Sequence, residues 1–493
     1  MTGRTGVGHP EGGSAGVSWV DLEFSSDPWD VFVADGSAGQ CSAFQGRANW
    51  LLPCLEGPSA ADKIRGVCQE VRALFSRWLK MQNCCVLLGA GASYYATGFL
   101  GSGLLDAIRP MLAQRRSIAT LDQLLELADS DQHVAANFEA FLSQISAWAA
   151  VVDARGWPLS AQGISLPISA ADGADAGQLL NELLLDLQRA IAVACDCPLP
   201  SSLVSSPYDG TSWGVTPHEA LLAKLSSRDP LHGRAKVFTT NYDTLVEQAM
   251  DRLGVLYSDG FTGTVSRRFN PAAYDVDVYF PGEATEGQVR RFDKYLHLYK
   301  LHGSTTWRRR EAGAGYEEVA FDSTPLPRRE RFAAAGANAV SLDAVFSHGE
   351  GLAILPTLNK YAETLALPFA HMFRAFSHAL SLPQTVLFIV GYSGWDEHVN
   401  RLVVDALTNP GFACVIVDPA PSPWAKALCA ADYCGRVYIF GGPWARFEFF
   451  AANLLPDLDV LGTDLEIART LRDLAAPAAE SGRDAEDQES RDG

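Results

Sequence analysis

Cysteines at metal-ligand spacing are missing from this chain. Its 10 cysteines stand at Cys41, Cys54, Cys68, Cys84, Cys85, Cys195, Cys197, Cys414, Cys429 and Cys434. No CxxC…CxxC arrangement occurs among them, so neither a zinc ribbon nor a secreted disulfide framework is signalled. Between Cys197 and Cys414 there is no cysteine at all. Basic residues are also scarce: 39 Lys and Arg face 58 Asp and Glu, a net charge of −19. A general binder of phosphate backbones needs a basic face, so direct nucleic-acid binding is not expected. The local basic clusters, Arg308–Arg310 and Arg328, Arg329 and Arg331, read as solvated turns. Long apolar runs are absent too. The densest, Val386–Val390, is strand-sized, far short of the ~18–20 residues that span a bilayer. The first residues have no apolar core of a signal peptide. A cytoplasmic protein without membrane attachment is the expectation.

What is present is an ordinary globular composition, 47% hydrophobic and 20% charged over 493 residues. It excludes a mostly disordered, collagen-like or coiled-coil chain. Residues 1–81 form an N-terminal segment with Trp19, Phe24, Trp29, Phe32 and Trp50, ending in an amphipathic helix. That helix is read from the spacing of Ile64, Val67, Cys68, Val71, Leu74, Phe75 and Trp78. The apolar run Cys84–Leu88 follows and stops at Gly-Ala-Gly-Ala-Ser. Helix, buried strand and glycine turn in that order open an α/β nucleotide-binding domain. From about 104 to 230 the pattern is Leu/Ala-rich and helical, as in Leu121–Ala128, Phe138–Val152 and Leu179–Ala194. This reads as an insertion after the first glycine loop, either covering and helping to control the cleft or only packing on the core. Strand signals resume at Ala235–Thr240, Tyr295–Leu301, Val386–Val390, Cys414–Val417 and Val437–Phe440, with helical stretches between several of them. The fold class is α/β, a Rossmann-like parallel sheet of about six strands interrupted by insertions. The domain would run over 82–445, a helical segment over 446–474, and an acidic disordered tail over 475–493.

Ligands of an open parallel sheet bind where the loops leave the carboxyl ends of the strands. After the first strand come Gly89, Ala90, Gly91, Ala92 and Ser93, glycines that let backbone N–H groups approach a pyrophosphate. They do not form GxGxxG, which argues against hydride transfer. After the second come Thr239, Thr240, Asn241, Tyr242 and Asp243. Asn241 and Asp243 suit a ribose or an amide, and either suits capping of the following helix. After the third, His302 stands beside Gly303, and strand alternation puts it on the face of Lys300 and Leu298. After the fourth come Gly391, Tyr392, Ser393, Gly394, Trp395 and Asp396, with Asp396 a ligand contact or a helix cap. After the fifth, Asp418 and Pro419 put a carboxylate where a ribose hydroxyl can be held.

Taken in order, GAGAS, TTNYD, KLHGS, GYSGWD and IVDP resemble the sirtuins, and more closely the sirtuin-like NADase domains of bacterial antiphage defence proteins. DGFTG (Asp259–Gly263) and NFEAFLS (Asn137–Ser143) are similar to that group as well, and the resemblance spans roughly 82–445. It implies NAD+ as the substrate. Gly89, Ala90, Gly91 and Ser93 would hold the diphosphate and nearby ribose. Asn241 and Asp243 would line the nicotinamide-ribose pocket, and His302 would be the catalytic base. Gly391 and Ser393 would flank the adenosine half, with Asp418 near its ribose. Two features of deacylase sirtuins are missing: the zinc-binding cysteine quartet after the catalytic His, and a Pro-Asp-Phe-Arg stretch, where this chain reads YYATGFLGSGLLDAI.

The leading expectation is therefore an NAD+ glycohydrolase that depletes NAD+ in antiviral defence, without structural zinc. The alternatives are an NAD-dependent protein deacylase, a non-catalytic NAD or ADP-ribose sensor, and an ordinary α/β metabolic enzyme. A toxic NADase must be restrained, so a homo-oligomer or a larger complex is expected, with Trp19, Trp29 and Trp50 as candidate interface anchors. The resemblance implies an ATPase or translocase-type partner subunit.

Overall fold

The computed structural model describes residues 71–129, 175–200, 215–280, 291–311, 317–321 and 367–456 almost without a break, and short pieces outside them that include 42–45, 48–49 and 141–149. The N-terminal tryptophans, Arg328, Arg329, Arg331 and the acidic tail lie outside the described residues.

Among the described residues sixteen strands are defined, β1 to β16 in chain order. A two-stranded ribbon joins β1 (Leu22–Glu23) and β2 (Val33–Ala34). The main sheet contains β3 (Ser42–Gln45), β4 (Ala48–Asn49), β5 (Asn83–Leu88), β6 (Lys236–Thr239), β7 (Leu256–Ser258), β10 (Tyr295–Lys300), β14 (Thr385–Val390), β15 (Phe412–Val417) and β16 (Val437–Gly441). Its order is β4-β3-β16-β15-β14-β5-β6-β10-β7. From β16 to β7 every pairing is parallel, while β3 and β4 add antiparallel strands at the other edge. The expected sheet thus gains β7 next to β10 and the short pair β3 and β4. These strands are too short to carry a periodic signal, and β7 begins with an exposed Leu256.

The central strands are buried on both faces, as their unbroken apolar runs require. Val86, Leu88, Val237, Leu298, Phe388 and Val415 face one layer, whose helices include those over 71–79, Pro217–Ser226 and Leu245–Leu253. Cys85, Leu87, Phe238, Tyr299, Ile389 and Ile416 face the other, with helices Phe369–Ser381, Glu397–Ala406 and Pro423–Ala431. The insertion has a third core, where Leu104, Ile108, Leu121, Leu180 and Leu187 pack together with Tyr242 of the sheet loop. Helices that build this core include Leu104–Leu112, Ser117–Asp129 and Ala176–Cys195. Leu180, Leu183, Leu187 and Ala190 recur at three- and four-residue spacing, which gives the Ala176–Cys195 helix one continuous apolar stripe.

A smaller antiparallel sheet combines β8 (Phe261–Thr262) and β9 (Arg268–Phe269), which precede β10, with β11 (Trp307–Glu311), β12 (Glu317–Phe321) and β13 (Gly351–Leu352), which lie between β10 and β14. Aromatic packing holds it: the Phe261 ring lies 5.2 Å from Trp307 and 5.7 Å from both Phe269 and Phe321. The reading of Arg308–Arg310 as a solvated turn is corrected here. They lie on β11, and Arg308 is buried, donating to the carbonyls of Thr305 (2.7 Å) and Trp307 (3.2 Å). Its own backbone supplies the acceptors that let a guanidinium be buried.

Candidate active site

The carboxyl ends of β5, β6, β10, β14 and β15 surround one cleft of about 540 Å³, within the usual range of small-molecule sites. Ala90, Gly91, Ser93, Asn241, Asp243, His302, Gly391, Ser393 and Asp418 all line it. Gly89 does not, but its carbonyl accepts from Asn241. Insertion residues Leu104 and Cys195 also line the cleft, as do Tyr94, Phe99 and Leu100 of the chain leading into it.

The glycines serve first to bring two loops together. A Cβ on Gly91 would lie 2.7 Å from the Gly391 Cα. One on Gly391 would lie 2.5 Å from the Ala92 nitrogen, and Gly391 has φ +62°, a conformation other residues rarely adopt. The loops are bonded as well: Gly89 N–H donates to Val390 O (3.0 Å) and Gly91 N–H to Gly391 O (2.9 Å). Two of the backbone donors expected to cradle a diphosphate are therefore used within the protein. The helix that follows, Ala90–Thr97, has no side-chain cap and no acidic residue in its first turn, so its positive end is not neutralised from within.

Ser93, Asn241 and Asp243 form a chain of hydrogen bonds. Asn241 Nδ2 donates to Gly89 O at 2.9 Å and to Ser93 Oγ at 2.8 Å, and Ser93 Oγ donates to Asp243 Oδ2 at 2.7 Å. Gly89 O can only accept, which fixes the amide orientation and leaves Asn241 Oδ1 as the group presented to a ligand. Asp243 resolves the choice between cap and ligand contact by position: Oδ1 accepts the Leu245 N–H (3.1 Å) at the start of helix Leu245–Leu253, while Oδ2 orients Ser93. Buried Lys300 fixes this loop from beneath, donating to the Asp243 carbonyl and pairing with Glu247 at 3.1 Å. Burial raises the Glu247 carboxyl above its ordinary range, against the opposing pull of Lys300.

His302 is carried by the turn after β10, which ends at Lys300, so strand alternation does not govern its direction. Gly303 at φ +92° makes that turn. His302 Nε2 lies 2.6 Å from Asp396 Oδ2, and both residues are buried. A carboxylate only accepts, so Nε2 is the donor, and in the neutral imidazole Nδ1 carries the lone pair. Among the described residues Nδ1 has no hydrogen-bond partner. Asp396 is also the cap of helix Glu397–Ala406, its Oδ1 accepting from His398 (2.9 Å) and Val399 (3.3 Å). Tyr392 braces it through a hydroxyl 3.1 Å from the Asp396 carbonyl and 3.2 Å from its N–H. The sequence offered Asp396 as a cap or a ligand contact; its pairing with His302 joins residues 94 positions apart and had no local signal.

Asp418 directly follows β15, with Oδ1 accepting the Ala420 N–H at 2.8 Å. Burial pushes its carboxyl up to about 6, against the opposing pull of the Ala420 bond. Ser393 is exposed on the rim beside Trp395, which is 66% exposed. Among the described residues no group of His, Cys, Asp and Glu is arranged to hold a metal ion, and no helix is long and apolar enough to cross a membrane.

Residues 235–437 match the family model of the SIR2-like domain. No curated protein sequence matches the chain. Among solved structures, the chain is similar to a mutant Sir2 homologue in complex with 2′-O-acetyl ADP-ribose. The two are 12% identical, with a TM-score of 0.30, over 83% of this chain and 98% of that one. The matched stretch begins one residue before β6 and contains Asn241, Asp243, His302, Gly391, Ser393, Asp396 and Asp418. The loops that build the cleft from β6 onward thus lie within the stretch that is similar to the SIR2-like domain, a likeness that suggests NAD-related activity.

Proposed function

We propose that this protein hydrolyses the nicotinamide–ribose bond of NAD+. One observation carries the reading: a histidine with an unpartnered Nδ1, oriented by a buried carboxylate at 2.6 Å, shares a cleft with an asparagine amide whose nitrogen is fixed and whose oxygen is not.

The chemistry needs little more. As the bond between the nicotinamide nitrogen and the ribose anomeric carbon breaks, its electron pair neutralises the pyridinium ring and leaves an oxocarbenium-like ribose. A water held by Asn241 Oδ1 attacks that carbon and gives its proton to His302 Nδ1. The products are nicotinamide, ADP-ribose and a proton. Asp396 stabilises the imidazolium that forms, as the carboxylate of a Ser-His-Asp triad does. Asp243 and Ser93 keep the amide in place, and Asp418 accepts from the adenosine ribose.

The region after His302 favours hydrolysis over protein deacylation. There the described chain runs through β11, β12 and β13, which pair antiparallel and pack Trp307 and Phe321 on Phe261, in the interval where the deacylases carry their cysteine quartet. NAD+ depletion in antiviral defence, self-assembly and an ATPase-type partner belong to the same proposal. Incubating purified protein with NAD+ and resolving the products by chromatography tests the reaction. Equal release of nicotinamide and ADP-ribose supports it. Nicotinamide release that requires an acetyl-lysine peptide would instead establish deacylation.

A further inference from the structure

We infer that Arg446 binds the diphosphate of the dinucleotide, an inference that rests on the NAD+ reading. A diphosphate is doubly ionised, yet the cleft is lined by Asp243, Asp396, Asp418 and Glu448, and Arg446 is the one Lys or Arg among the described residues that line it. The glycine loop cannot supply the whole cradle, because the N–H groups of Gly89 and Gly91 already bond to Val390 and Gly391. A further donor is needed.

The backbone around Arg446 is fixed while its side chain is exposed. Its carbonyl accepts from the Phe450 N–H at 2.9 Å, and Arg446 caps the turn Phe447–Phe449. The neighbouring Phe447 is buried, its ring 4.9 Å from His218 and 6.5 Å from Tyr95. Tyr95 lies on the helix that begins at the glycine loop. This packing sets Arg446 beside that helix, and among the described residues no carboxylate pairs with the guanidinium. A guanidinium fork matches phosphate oxygens two at a time. A carboxylate near the adenosine ribose, as proposed for Asp418, repels a 2′-phosphate, which favours the diphosphate as the target.

Calorimetric titration of the full chain with ADP-ribose, ADP, adenosine and 2′-AMP tests this, comparing wild type with Arg446→Gln and Arg446→Lys. Arg446→Gln should weaken ADP-ribose and ADP by about 10- to 100-fold and leave adenosine unchanged. Arg446→Lys should recover part of the loss, since charge returns without the fork. The melting temperature should not move, because the side chain is exposed. Unchanged ADP-ribose affinity in Arg446→Gln, or an equal loss for adenosine, would overturn the assignment while leaving the NAD+ reading intact. A loss confined to 2′-AMP would also overturn it. If wild type binds none of the four, the assignment and the NAD+ reading fall together.

Discussion

One carboxylate oxygen of Asp396 meets His302 Nε2 at 2.6 Å, and the other closes the N-terminus of helix Glu397–Ala406. The two tasks are mechanically linked. The helix fixes the carboxylate, the carboxylate orients the imidazole through Nε2, and His302 lines the cleft.

Asp396→Asn separates those tasks. Asparagine is as good a cap as aspartate, so stability should fall by no more than about 1–2 kcal/mol. The amide cannot stabilise an imidazolium, and turnover should fall by about 10²–10⁴-fold. Asp396→Ala should lose the same activity and also the cap. Denaturant unfolding beside a nicotinamide-release assay checks both. An Asp396→Asn variant with near-normal turnover would reduce Asp396 to a helix cap.

Gly391→Ala should act on the fold of the site. Its φ of +62° costs an L-residue about 1–2 kcal/mol, and the new Cβ would lie 2.5 Å from the Ala92 nitrogen. The two loops must separate, so stability should drop by more than about 2 kcal/mol and ADP-ribose affinity with it. Thermal unfolding and calorimetry read the two effects.

Asp418 should give NAD+ affinity an acid limb. Burial raises its carboxyl to about 6, so lowering the pH through that value protonates it and removes an acceptor for the ribose diol. The same shift has the opposite sign for the unliganded fold. The folded state holds this proton more tightly, a contribution present below about pH 4 and lost as pH rises through about 6. Asp418→Asn should therefore flatten the affinity profile near pH 6 and stabilise the unliganded protein at pH 7 but not at pH 4.

Two buried histidines should make the protein acid-labile. Burial lowers both His218 and His297 to about 4, against about 6.5 in an unfolded chain. The unfolded state then binds more protons between those values, so stability falls as pH drops from about 6.5 toward 4. Each histidine contributes a slope of up to about 1.4 kcal/mol per pH unit. His218→Gln, which can keep the bond now made at 2.8 Å to the Tyr95 hydroxyl, should shallow that slope, as seen in urea unfolding at a series of pH values.

Much of this architecture is legible in the sequence because a doubly covered parallel strand is a short apolar run with a polar loop after it. Asn241 and His302 are visible for that reason: each follows such a run and lies at the ligand edge. What was not legible depends on distant pairing. β7 and the small antiparallel sheet are short, partly charged strands stabilised by their neighbours. Arg308–Arg310 reads as a turn because the sequence does not show that Arg308 can satisfy itself on the carbonyls of Thr305 and Trp307. The glycines read as a phosphate cradle, yet part of their purpose is the close packing of Gly89 and Gly91 on Gly391. His302 and Asp396 carry no local mark of their pairing at all.

The most direct test of the central claim compares wild type, His302→Ala and Asn241→Ala in a nicotinamide-release assay, with ADP-ribose binding measured on the same preparations. Removing the base should lower release by about 10²–10⁴-fold, and Asn241→Ala should also lose turnover. ADP-ribose affinity should change far less, because the adenosine and diphosphate contacts remain. Undiminished release from a folded His302→Ala protein would contradict the mechanism.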